Sequence, residues 1–403
     1  MDDTRVHVGV GWSQDQDARR AGFEAAQKAL ASSGQAEANI AFVFSTIGYA
    51  PEQLLAGIGE VLKSTPVHGG TSFTGVMTPA GFLGGDRDAV AVMTMSTQYV
   101  DFGVGYAELG QDPEAAGRAA IEMAVKAARK QADIPAEVPD IVLMAASPGN
   151  EEAVMRGIMQ VIGEDIPIIG GSVADNSVEG HWHVFADEHA MSSGVVVTSL
   201  FTHLPLGYSY ASGYRPTEKK ATITKAAGRT VYELNGKKAI EVYAQWIGQS
   251  PKDLAGMAIL GASILKPVGV YNRENKFHLV KHPGVAQDDG SIFLFAEVKE
   301  GDELVLMEAS VDDLIKEVPE AIRAAMEMRQ LEEEDVAALI LVHCGGRRGA
   351  IGDRIGEVVE TINQTLNYSV PFVSYLTFGE QGCLPSGQNV HCDLLLSALV
   401  IGK

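Results

Sequence analysis

The stretch that decides the fold reads PVHGGTS at residues 66–72, and a close variant, PIIGGSV, follows at residues 167–173. In both copies the leading proline lies 26 residues after the isoleucine that opens an apolar run, Ile40 in the first copy and Ile141 in the second. Short apolar runs predict buried strands, and the segment between each run and its proline has the apolar periodicity of a helix. The equal spacing predicts that one strand, helix and strand unit occurs twice, with a Gly-Gly turn at its end.

The similarity continues on both sides of these units. Upstream, the runs HVGVGW, ending at Trp12, and DFGVGY, ending at Tyr106, each lead into an alanine-rich helix. We therefore predict two internal repeats, at about residues 5–107 and 100–211, and a third, weaker copy that starts with the strand ELVLMEAS at residues 303–310. A period near a hundred residues is too long for a solenoid and fits duplicated α/β layers.

The pattern changes in the middle of the chain. The segment ATITKAAGRTVYELNG at residues 221–236 predicts a hairpin with Gly228 in its turn, and residues 251–300 hold short apolar runs separated by turn residues, which predict an antiparallel meander. The predicted domains are residues 1–250 and residues 251–403. The predicted fold is α/β, with duplicated layered β-α-β units in the N-terminal part and a smaller α/β or α+β C-terminal domain that contains the meander.

The composition excludes several classes of partner. The 403 residues include 31 basic and 52 acidic side chains, a net charge of −21, and so acidic a surface repels nucleic-acid phosphates and anionic lipids. No apolar stretch is long enough to span a membrane, and the N-terminus lacks the pattern of a signal peptide. The presence of only three cysteines indicates a reducing compartment. We expect a cytoplasmic protein with no nucleic-acid partner and no membrane insertion.

Several ordered motifs resemble one known family. They are PVHGGTS, PIIGGSVADN, ATITKAAGRTVYELNGKKAIEVY, ALILVHCGGRRGAIG and YLTFGEQG. In this order they resemble the FIST family, whose members pair a FIST N domain with a FIST C domain. The family is regarded as a sensory module for small ligands, amino acids among them, and often occurs in signal-transduction proteins. The resemblance implies that residues 1–250 are FIST N-like and residues 251–403 FIST C-like. Because no transmitter domain follows the final strand, we expect a separate signalling partner.

The two Gly-Gly segments are the first candidate ligand site. Glycine lets a ligand approach the main chain without a Cβ in the way, and turns at the strand ends of an α/β layer face the crevice where ligands usually bind. The alternative is that each pair only permits a tight bend or close packing. The predicted ligand-binding residues are Gly69, Gly70, Thr71 and Ser72 in the first copy and Gly170, Gly171, Ser172 and Asp175 in the second.

A second candidate site is HCGGRRGAIGDRIGE at residues 343–357, which passes from a strand into a helix. Main-chain amides there can bind an anion, and the planar guanidinium of Arg347 can clamp a carboxylate, whereas Arg348 is expected to point to solvent. The predicted contacts are Cys344, Gly345, Gly346 and Arg347. The family resemblance adds Gly379 and Glu380. The Glu380 carboxylate is expected to receive a ligand ammonium, or else to cap a loop or pair with an arginine.

Chemistry at Cys344 is the alternative to simple binding. A thiol at a strand end beside arginines is in a setting that lowers its pKa, but His343 points to the opposite face of the strand and cannot be its base. The histidines of HWHVFADEH, residues 181–189, suggest a metal site, although a surface hairpin explains them as well. Because the chain lacks a Walker loop and G-x-G-x-x-G, neither ATP nor NAD is favoured. We expect no cofactor and no metal.

The expected function follows from these features. We expect a cytoplasmic sensory protein that binds amino acids or other small carboxylates and feeds signal transduction. The alternative is an enzyme that acts on a small molecule through Cys344 or through carboxylates in its pocket.

Overall fold

The computed structural model describes residues 6–128 and 137–403, so the start of the first predicted repeat at residue 5 lies outside the described residues. The described chain forms three modules of one plan and one insert. The modules are module 1 (residues 6–97), module 2 (residues 100–202) and module 3 (residues 206–211 and 311–402), and residues 212–309 are the insert.

Module 1 alternates strands with helices. All six residues of its strand Ile40–Ser45 are buried, as expected for a strand covered on both faces. The first helix is capped by the side chain of Asp17, which accepts a hydrogen bond from Arg20 N, and it ends at Gly34, whose φ of 69° suits glycine. The elements are β1 Val6–Ser13, α1 Ala18–Ser33, β2 Ile40–Ser45, α2 Pro51–Leu62, β3 Val67–Thr71, β4 Gly75–Thr78, β5 Gly81–Gly84 and β6 Val90–Thr97.

Module 2 repeats this order of elements, which confirms the predicted duplication. Its buried strand begins at Ile141, as predicted, and has the same six-residue length as the strand that begins at Ile40. The elements are β7 Val100–Glu108, α3 Pro113–Ala128, β8 Ile141–Ala146, α4 Glu151–Ile162, β9 Ile168–Ser172, β10 Val184–Ala186, β11 His189–Met191 and β12 Gly194–Thr202.

Module 3 begins with β13, Leu206–Ala211, and is then interrupted by the insert. The hairpin predicted around Gly228 is confirmed, with a φ of 56° at that glycine. The elements of the insert are β14 Arg215–Ala227, β15 Thr230–Leu234, β16 Lys237–Lys238, α5 Ala239–Ile247, a 3-10 turn Pro251–Leu254, α6 Ala258–Ser263, β17 Val268–Asn272, β18 Phe277–Lys281, β19 Pro283–Ala286, β20 Ile292–Leu294 and β21 Glu303–Glu308.

The insert sheet is nearly closed into a barrel. In the described chain its strands pair in the order β18-β17-β21-β14-β15-β20-β19, with β16 added on β15. The two end strands of this path, β18 and β19, are consecutive in the chain and only His282 separates them. The antiparallel pairs β17–β18 and β19–β20 form the meander predicted for residues 251–300.

The remainder of module 3 follows the plan of the other two modules. Its elements are α7 Val311–Glu327, a 3-10 turn Glu333–Asp335, β22 Val336–Cys344, α8 Gly345–Ile351, a 3-10 turn Gly352–Arg354, α9 Ile355–Thr365, β23 Phe372–Thr377, β24 Glu380–Cys383, β25 Asn389–Cys392 and β26 Leu396–Gly402.

The first strand of the third copy corrects the sequence-based prediction. The segment ELVLMEAS forms β21, which pairs with β14 and β17 inside the insert. The place predicted for it in module 3 is taken by β13, which pairs with β26. Both segments are short and apolar, so local pattern could not distinguish a strand of the insert from a strand of the module.

The three modules exchange hairpins in a cycle. Within the described residues each module builds four strands of a six-stranded sheet, in the orders β1-β6-β2-β3, β7-β12-β8-β9 and β13-β26-β22-β23. The hairpin β10–β11 of module 2 completes the sheet of module 1, β24–β25 of module 3 completes that of module 2, and β4–β5 of module 1 completes that of module 3. Main-chain hydrogen bonds therefore join the modules around a pseudo-threefold axis.

One apolar core lies between the three sheets and contains residues of every module, such as Phe42, Phe102 and Ile340. The outer face of each sheet is covered by helices of its own module: α1 and α2, α3 and α4, and α7 to α9. Burial of both faces explains why the central strands are apolar throughout. No helix in the described part of the chain is both long and apolar enough to cross a bilayer.

A ring of main-chain hydrogen bonds lies where the strands β3, β9 and β23 end. Phe73 N donates to Leu376 O at 2.9 Å, Ala174 N donates to Thr71 O at 2.9 Å, and Phe378 N donates to Ser172 O at 3.1 Å. Each bond joins residues at or just after the end of a strand in one module to the equivalent place in another module. The carboxyl ends of these strands are thereby held together, and the candidate site lies beside them.

Candidate functional site

The candidate site is a cavity of about 300 Å³ beside the carboxyl ends of β22 and β23. Its floor is the start of α8, one side is the loop that leads into α4, and the insert forms the cover. Ligand sites of α/β proteins commonly lie at such strand ends, and the volume lies at the lower end of the range for small-molecule pockets. All three modules and the insert contribute residues to it.

One wall of the cavity is an aromatic cluster from the modules. The ring centroids of Phe73 and Phe378 are 5.7 Å apart, and Trp182 stands perpendicular to Phe378 with the centroids 6.2 Å apart. Edge-to-face contacts of this kind stabilise aromatic clusters. The main-chain bonds at Phe73 and Phe378 belong to the ring described above, so the pseudo-threefold centre holds this wall in place.

A second aromatic wall of the cavity is supplied by the insert. His282 and Phe295 have ring centroids 5.9 Å apart, as do Phe293 and Phe295. Burial lowers the pKa of His282 to about 4, so its ring is neutral at physiological pH. The apolar side chains of Leu260 and Ile264 extend this wall.

A charged corner lies at the edge of the cavity. Arg229 Nη2 donates to Glu151 Oε2 at 2.6 Å and also to Glu152 Oε2, and Glu297 N donates to Glu152 Oε1 at 2.8 Å. The two carboxylates raise the pKa of Arg229 despite its burial. Because Arg229 and Glu297 belong to the insert and both glutamates begin α4, this corner joins the insert to module 2.

The carboxylates of this corner are ionised. Burial alone raises the pKa of Glu152, but the charges of His391 and Arg229 outweigh it and lower the pKa to about 2. The same balance lowers the pKa of Glu151, which also accepts a hydrogen bond from Ser172 Oγ at 2.6 Å. The corner therefore places two carboxylates beside the guanidinium of Arg229, with His391 Nε2 3.9 Å from Glu151 Oε1.

Among the described residues, Glu151, Glu152 and His391 form a group whose possible metal-ligand atoms lie within 4.8 Å of one another. The guanidinium of Arg229 already contacts both carboxylates, so a metal ion here would have to displace it. The segment of residues 181–189 is used differently, since Asp187 Oδ1 accepts a hydrogen bond from Val67 N at 3.1 Å. Neither arrangement supports a metal centre.

Asp393 supplies a further carboxylate to the cavity. Its side chain is buried, and Oδ2 accepts a hydrogen bond from His282 N at 2.9 Å. Oδ1 is also buried, and no described residue donates a hydrogen bond to it. Burial raises the pKa of Asp393, against the opposing charges of His391 and Lys281. This carboxylate oxygen lacks the donor that buried acceptors normally have.

Four of the predicted site residues line the cavity. They are Cys344, Gly345, Gly346 and Gly379. A Cβ on Gly346 would lie 2.4 Å from Leu394 Cδ2, and one on Gly379 would lie 2.5 Å from the His391 ring. The absence of side chains at these positions therefore serves close packing as well as the space of the cavity.

Cys344 does not have the environment expected of a reactive thiol. It is buried, and burial together with the nearby Glu380 carboxyl raises the pKa of the thiol well above its ordinary value. His343 is also buried, with Nδ1 3.1 Å from the Cys344 carbonyl oxygen. The neighbouring arginines were expected to lower the thiol pKa. The guanidinium of Arg347 instead donates to two main-chain carbonyl oxygens, and burial of Cys344 raises the pKa of its thiol.

Arg347 corrects the predicted carboxylate clamp. The side chain is fully buried and does not line the cavity. Nη1 donates to Ser212 O at 2.5 Å and Nη2 donates to Leu314 O at 2.7 Å. Arg348 is half-buried instead of pointing to solvent: Nη1 donates to Gly352 O at 2.9 Å, and its guanidinium carbon lies 4.9 Å from the centroid of the Phe82 ring.

Glu380 lies behind the cavity wall. It is fully buried in β24, where it pairs with Gly171. Oε1 accepts a hydrogen bond from Thr377 Oγ1 at 2.6 Å, and Oε2 accepts one from Leu395 N at 2.9 Å. Burial raises the pKa of this carboxyl to about 8, so it is largely protonated at neutral pH. It contacts residues of the wall and does not reach the cavity itself.

The Gly-Gly segments lie inside strands and do not form turns. Gly69, Gly70 and Thr71 belong to β3, and Gly170, Gly171 and Ser172 belong to β9. A Cβ on Gly70 would lie 2.3 Å from Val173 Cγ1, and one on Gly171 would lie 2.5 Å from Thr377 Cγ2. The two pairs occupy equivalent positions, since Gly70 pairs with β10 and Gly171 with β24. Gly70 and Gly171 allow close packing between modules, while Gly69 and Gly170 allow close packing against Val43 O and Met144 O of their own modules, so close packing, the alternative interpretation, accounts for both pairs.

The cavity lining includes none of these residues, nor Ser72 or Asp175, all of which the structure describes. Ser72 Oγ donates to Gly75 O and accepts from Leu376 N at 2.8 Å. The Asp175 carboxylate accepts hydrogen bonds from five successive main-chain amides, those of residues 177–181. It thereby shapes the loop that carries Val178 and Trp182 to the cavity.

Sequence reasoning missed the residues that form most of the polar lining. Glu151 and Arg229 are 78 residues apart in the chain, and no local motif connects them. Asp393 had a local signal, because it is a carboxylate at the start of an apolar run, DLLLSALVIG. An acidic residue expected in a buried strand region is a candidate for a functional role.

Comparison with solved structures includes two chains of similar length. A cyanuric acid hydrolase from A. caulinodans is 11% identical, with 99% of each chain covered and a TM-score of 0.37. A second cyanuric acid hydrolase structure is 9% identical, covers 99% of this chain and 100% of its own, and has the same TM-score of 0.37. Likeness at this level carries no information about activity.

Comparison of sequences identifies the family. An uncharacterized protein of Methanocaldococcus jannaschii is 26% identical over 266 residues, which are 59% of this chain and 48% of that protein, so the chain spans about half the length of this relative. The FIST N domain matches residues 39–237 and the FIST C domain matches residues 239–383. The two matches cover most of the chain in the order expected from the sequence, and the protein therefore belongs to the FIST family.

Proposed function

We propose that this FIST protein is a sensory protein that binds a small organic ligand in the cavity between the modules and the insert. FIST domains are associated with sensory signal transduction. The observation that carries the proposal is a cavity lined by two aromatic clusters, one from the modules and one from the insert, and by the charged pair of Arg229 and Glu151. An apolar pocket with a few convergent polar groups is the usual form of a small-molecule site.

The lining also bears on the class of ligand. Arg229, and not Arg347, is the guanidinium at the cavity, and Glu151 and Glu152 already bind it. The lining carries two carboxylates, those of Glu151 and Asp393, against this one cation. Such a charge balance opposes a simple carboxylate ligand. Of the two ligand classes expected from the sequence, it favours amino acids, whose ammonium group complements the acidic side chains.

The position of the charged corner suggests how a ligand affects the protein. Arg229 lies on the insert and Glu151 begins α4 of module 2, so the ion pair between them joins two parts of the molecule at the cavity edge. A ligand that contacts either group changes the strength of this connection. Ligand binding can thereby shift a conformational equilibrium, provided that it binds one state more tightly. A cytoplasmic location and a separate signalling partner complete this proposal.

A thermal-shift screen against amino acids, amines and small carboxylates tests the proposal. A ligand that binds only the folded state stabilises it by about 2.7 kcal/mol at a hundred times its Kd, so a true ligand raises the melting temperature. Binding can then be followed through the fluorescence of Trp182, which lies in the wall. A screen in which none of the three classes raises the melting temperature contradicts the proposed function.

Gly349 provides a variant that blocks the cavity without disturbing the core. It lines the cavity at an exposed position of α8, and an added Cβ would meet only Ile264 Cδ1, at 3.7 Å. Gly349→Leu is expected to abolish binding of each ligand found. Gly356→Leu is the matched control, since Gly356 is exposed on α9 and a Cβ there meets no atom within 4 Å. A ligand that binds Gly349→Leu as well as the parent occupies another site.

A further inference from the structure

Asp393 is a buried carboxylate with one oxygen that no described residue satisfies. The residue is 3% exposed, lies between β25 and β26, and lines the cavity. His282 N donates to Oδ2 at 2.9 Å, whereas Oδ1 receives no hydrogen bond from the described chain. A buried acceptor without a donor bears the full cost of its lost hydration. Oδ1 is therefore an acceptor with no donor, on a residue that lines the cavity.

No cation of the described chain is bound to Asp393. Arg229 is engaged by Glu151 and Glu152, and Lys281 directs Nζ to the carbonyl oxygen of His391 at 3.2 Å. No ion pair within 4.0 Å involves Asp393 among the residues that the structure describes. In its ionised form this carboxylate consequently has no direct partner among the described residues, and a bound cation would supply one.

The two aromatic walls favour the same kind of ligand. The faces of aromatic rings attract cations electrostatically, and they also bind apolar groups. A ligand with a carboxylate in this position would instead face the like charges of Glu151 and Asp393. The walls and the polar groups together select an organic cation with an apolar body.

Resting on the proposed function, we propose that Asp393 determines ligand specificity and binds the protonated amine of an organic ligand whose apolar body packs between the two aromatic walls. The ammonium group donates a hydrogen bond to the free Oδ1 and balances the carboxylate charge. His282 N fixes the orientation of the carboxylate through Oδ2. Glu151 is the second acidic group of the lining, but Arg229 and Ser172 already engage both of its oxygens, which leaves Asp393 as the anchor.

Three probes with one phenylethyl body and different head groups test this proposal: phenethylamine, 2-phenylethanol and 3-phenylpropanoate. Calorimetry on the full chain at neutral pH is expected to rank the amine tightest and the carboxylate weakest. Because hydrogen bonds to charged groups are strong, Asp393→Asn is expected to weaken binding of the amine about tenfold to a hundredfold. The affinity of Asp393→Asn for the alcohol should stay within about twofold of the parent's affinity, since no charge pair is lost. Asp288→Asn, at an exposed position of the insert, is the matched control.

The outcomes separate this inference from the proposed function. Equal affinities for amine and alcohol in the parent protein, or a preference for the amine that survives Asp393→Asn, overturn the role of Asp393. If such binding is still abolished by Gly349→Leu, the ligand-binding function of the cavity stands. Should Asp393→Asn fail to fold, the affinities of the parent protein for the three probes test the inference: it stands if the amine binds tightest and the carboxylate weakest, and fails otherwise. If none of the probes and no compound of the wider screen binds, the proposed function fails, and this inference fails with it.

Discussion

The region around Arg347 and the region around Arg229 show two different uses of a buried arginine. Arg347 is fully buried, and its guanidinium donates to the neutral carbonyl oxygens of Ser212 and Leu314. Arg229 has a side chain that is 10% exposed, and it donates to the carboxylates of Glu151 and Glu152. The first region joins Ser212, the first residue of the insert after β13, to α7 of module 3. The second joins the insert to module 2 beside the cavity.

The pKa values of the two arginines shift in opposite directions. Burial lowers the pKa of Arg347, because the charged form lies in an apolar environment with no carboxylate bound to it. Two carboxylates raise the pKa of Arg229 in spite of burial. Arg347 is bound only to carbonyl groups away from the cavity, whereas Arg229 lies at the cavity edge with its guanidinium engaged by two carboxylates. A guanidinium near a glycine-rich helix start is therefore no guide, by itself, to an anion site.

The largest effect is expected from Arg347→Ala. The substitution leaves a large void and two buried carbonyl oxygens without donors, so the free energy of unfolding should fall by about 3–5 kcal/mol. Arg347→Met fills most of the volume without a buried charge, so its free energy of unfolding should fall by less than that of Arg347→Ala. Urea denaturation measures both, and Arg348→Ala, at the half-buried neighbour, is the control. If the Arg347→Ala protein is as stable as the parent but binds ligand more weakly, the hypothesis that Arg347 clamps a ligand carboxylate would be supported instead.

A smaller decrease in the free energy of unfolding is expected from Arg229→Met. The variant removes the hydrogen bonds to both glutamates, which corresponds to about 1.5–3 kcal/mol. Since the pKa of Glu152 is lowered from an ordinary 4.5 to about 2, this contribution is present above pH 4.5 and is lost as the pH falls toward 2. Urea denaturation at several pH values checks both the size and the direction of the effect.

Arg323→Met serves as the control for Arg229→Met. Arg323 pairs with Glu320 on the surface of α7, with side chains 51% and 67% exposed, and exposed pairs contribute about 0–1 kcal/mol. The comparison between the two regions breaks down if the exposed and the buried variant lose the same stability. It also breaks down if the loss at Arg229 does not depend on pH.

The smallest effect concerns Glu380, a buried carboxyl that, unlike Glu151 and Glu152, has no ion-pair partner among the described residues. Burial raises its pKa from an ordinary 4.5 to about 8, so between these values the folded state holds a proton that the unfolded state has lost. The contribution of Glu380 to the stability of the parent protein therefore falls as the pH rises from about 4.5 to 8. Glu380→Gln removes this titration, and its stability relative to the parent should increase by about 1–3 kcal/mol between pH 5 and pH 8.

Denaturation curves at pH 5, 6.5 and 8 measure this difference. Gln can accept a hydrogen bond from Leu395 N and donate one to Thr377 Oγ1, whose hydroxyl then donates to His343 O instead, so both neighbours of the carboxyl stay hydrogen-bonded. Glu327→Gln, at an exposed position near the end of α7, should show no such trend. Parallel pH profiles of the parent and Glu380→Gln would mean that the Glu380 carboxyl is not protonated in the folded protein.

The candidate site was only partly predictable from the sequence. The strand-to-helix segment at Cys344 was found because an apolar run that meets glycines predicts a strand end, and Cys344, Gly345 and Gly346 do line the cavity. Arg347 was misassigned because the direction of a side chain on a helix depends on what packs around it, and here the carbonyl groups of residues 212 and 314 attract it inward. The division of the chain at residue 250 stays a prediction.

The Gly-Gly segments teach a related lesson. Their equal spacing correctly indicated equivalent positions in two modules, and the family resemblance was confirmed over the whole predicted order of domains. Their assignment to turns was wrong, since Gly69, Gly70, Gly170 and Gly171 are extended strand residues that allow close contact. Glycine in a strand and glycine in a turn look alike in sequence, and only the neighbouring atoms distinguish the two uses.

The sequence by itself determined the α/β elements, their repetition and the family, because apolar periodicity and local sterics act over a few residues and are written in the order of side chains. The tertiary structure alone decided the exchange of hairpins, the placement of the insert over module 3 and the meeting of Arg229, Glu151 and Asp393 at one cavity. Strand pairing, ion pairing and desolvation depend on distances through space between residues far apart in the chain. No local pattern contains those distances, so the site could be recognised only after the modules were packed together.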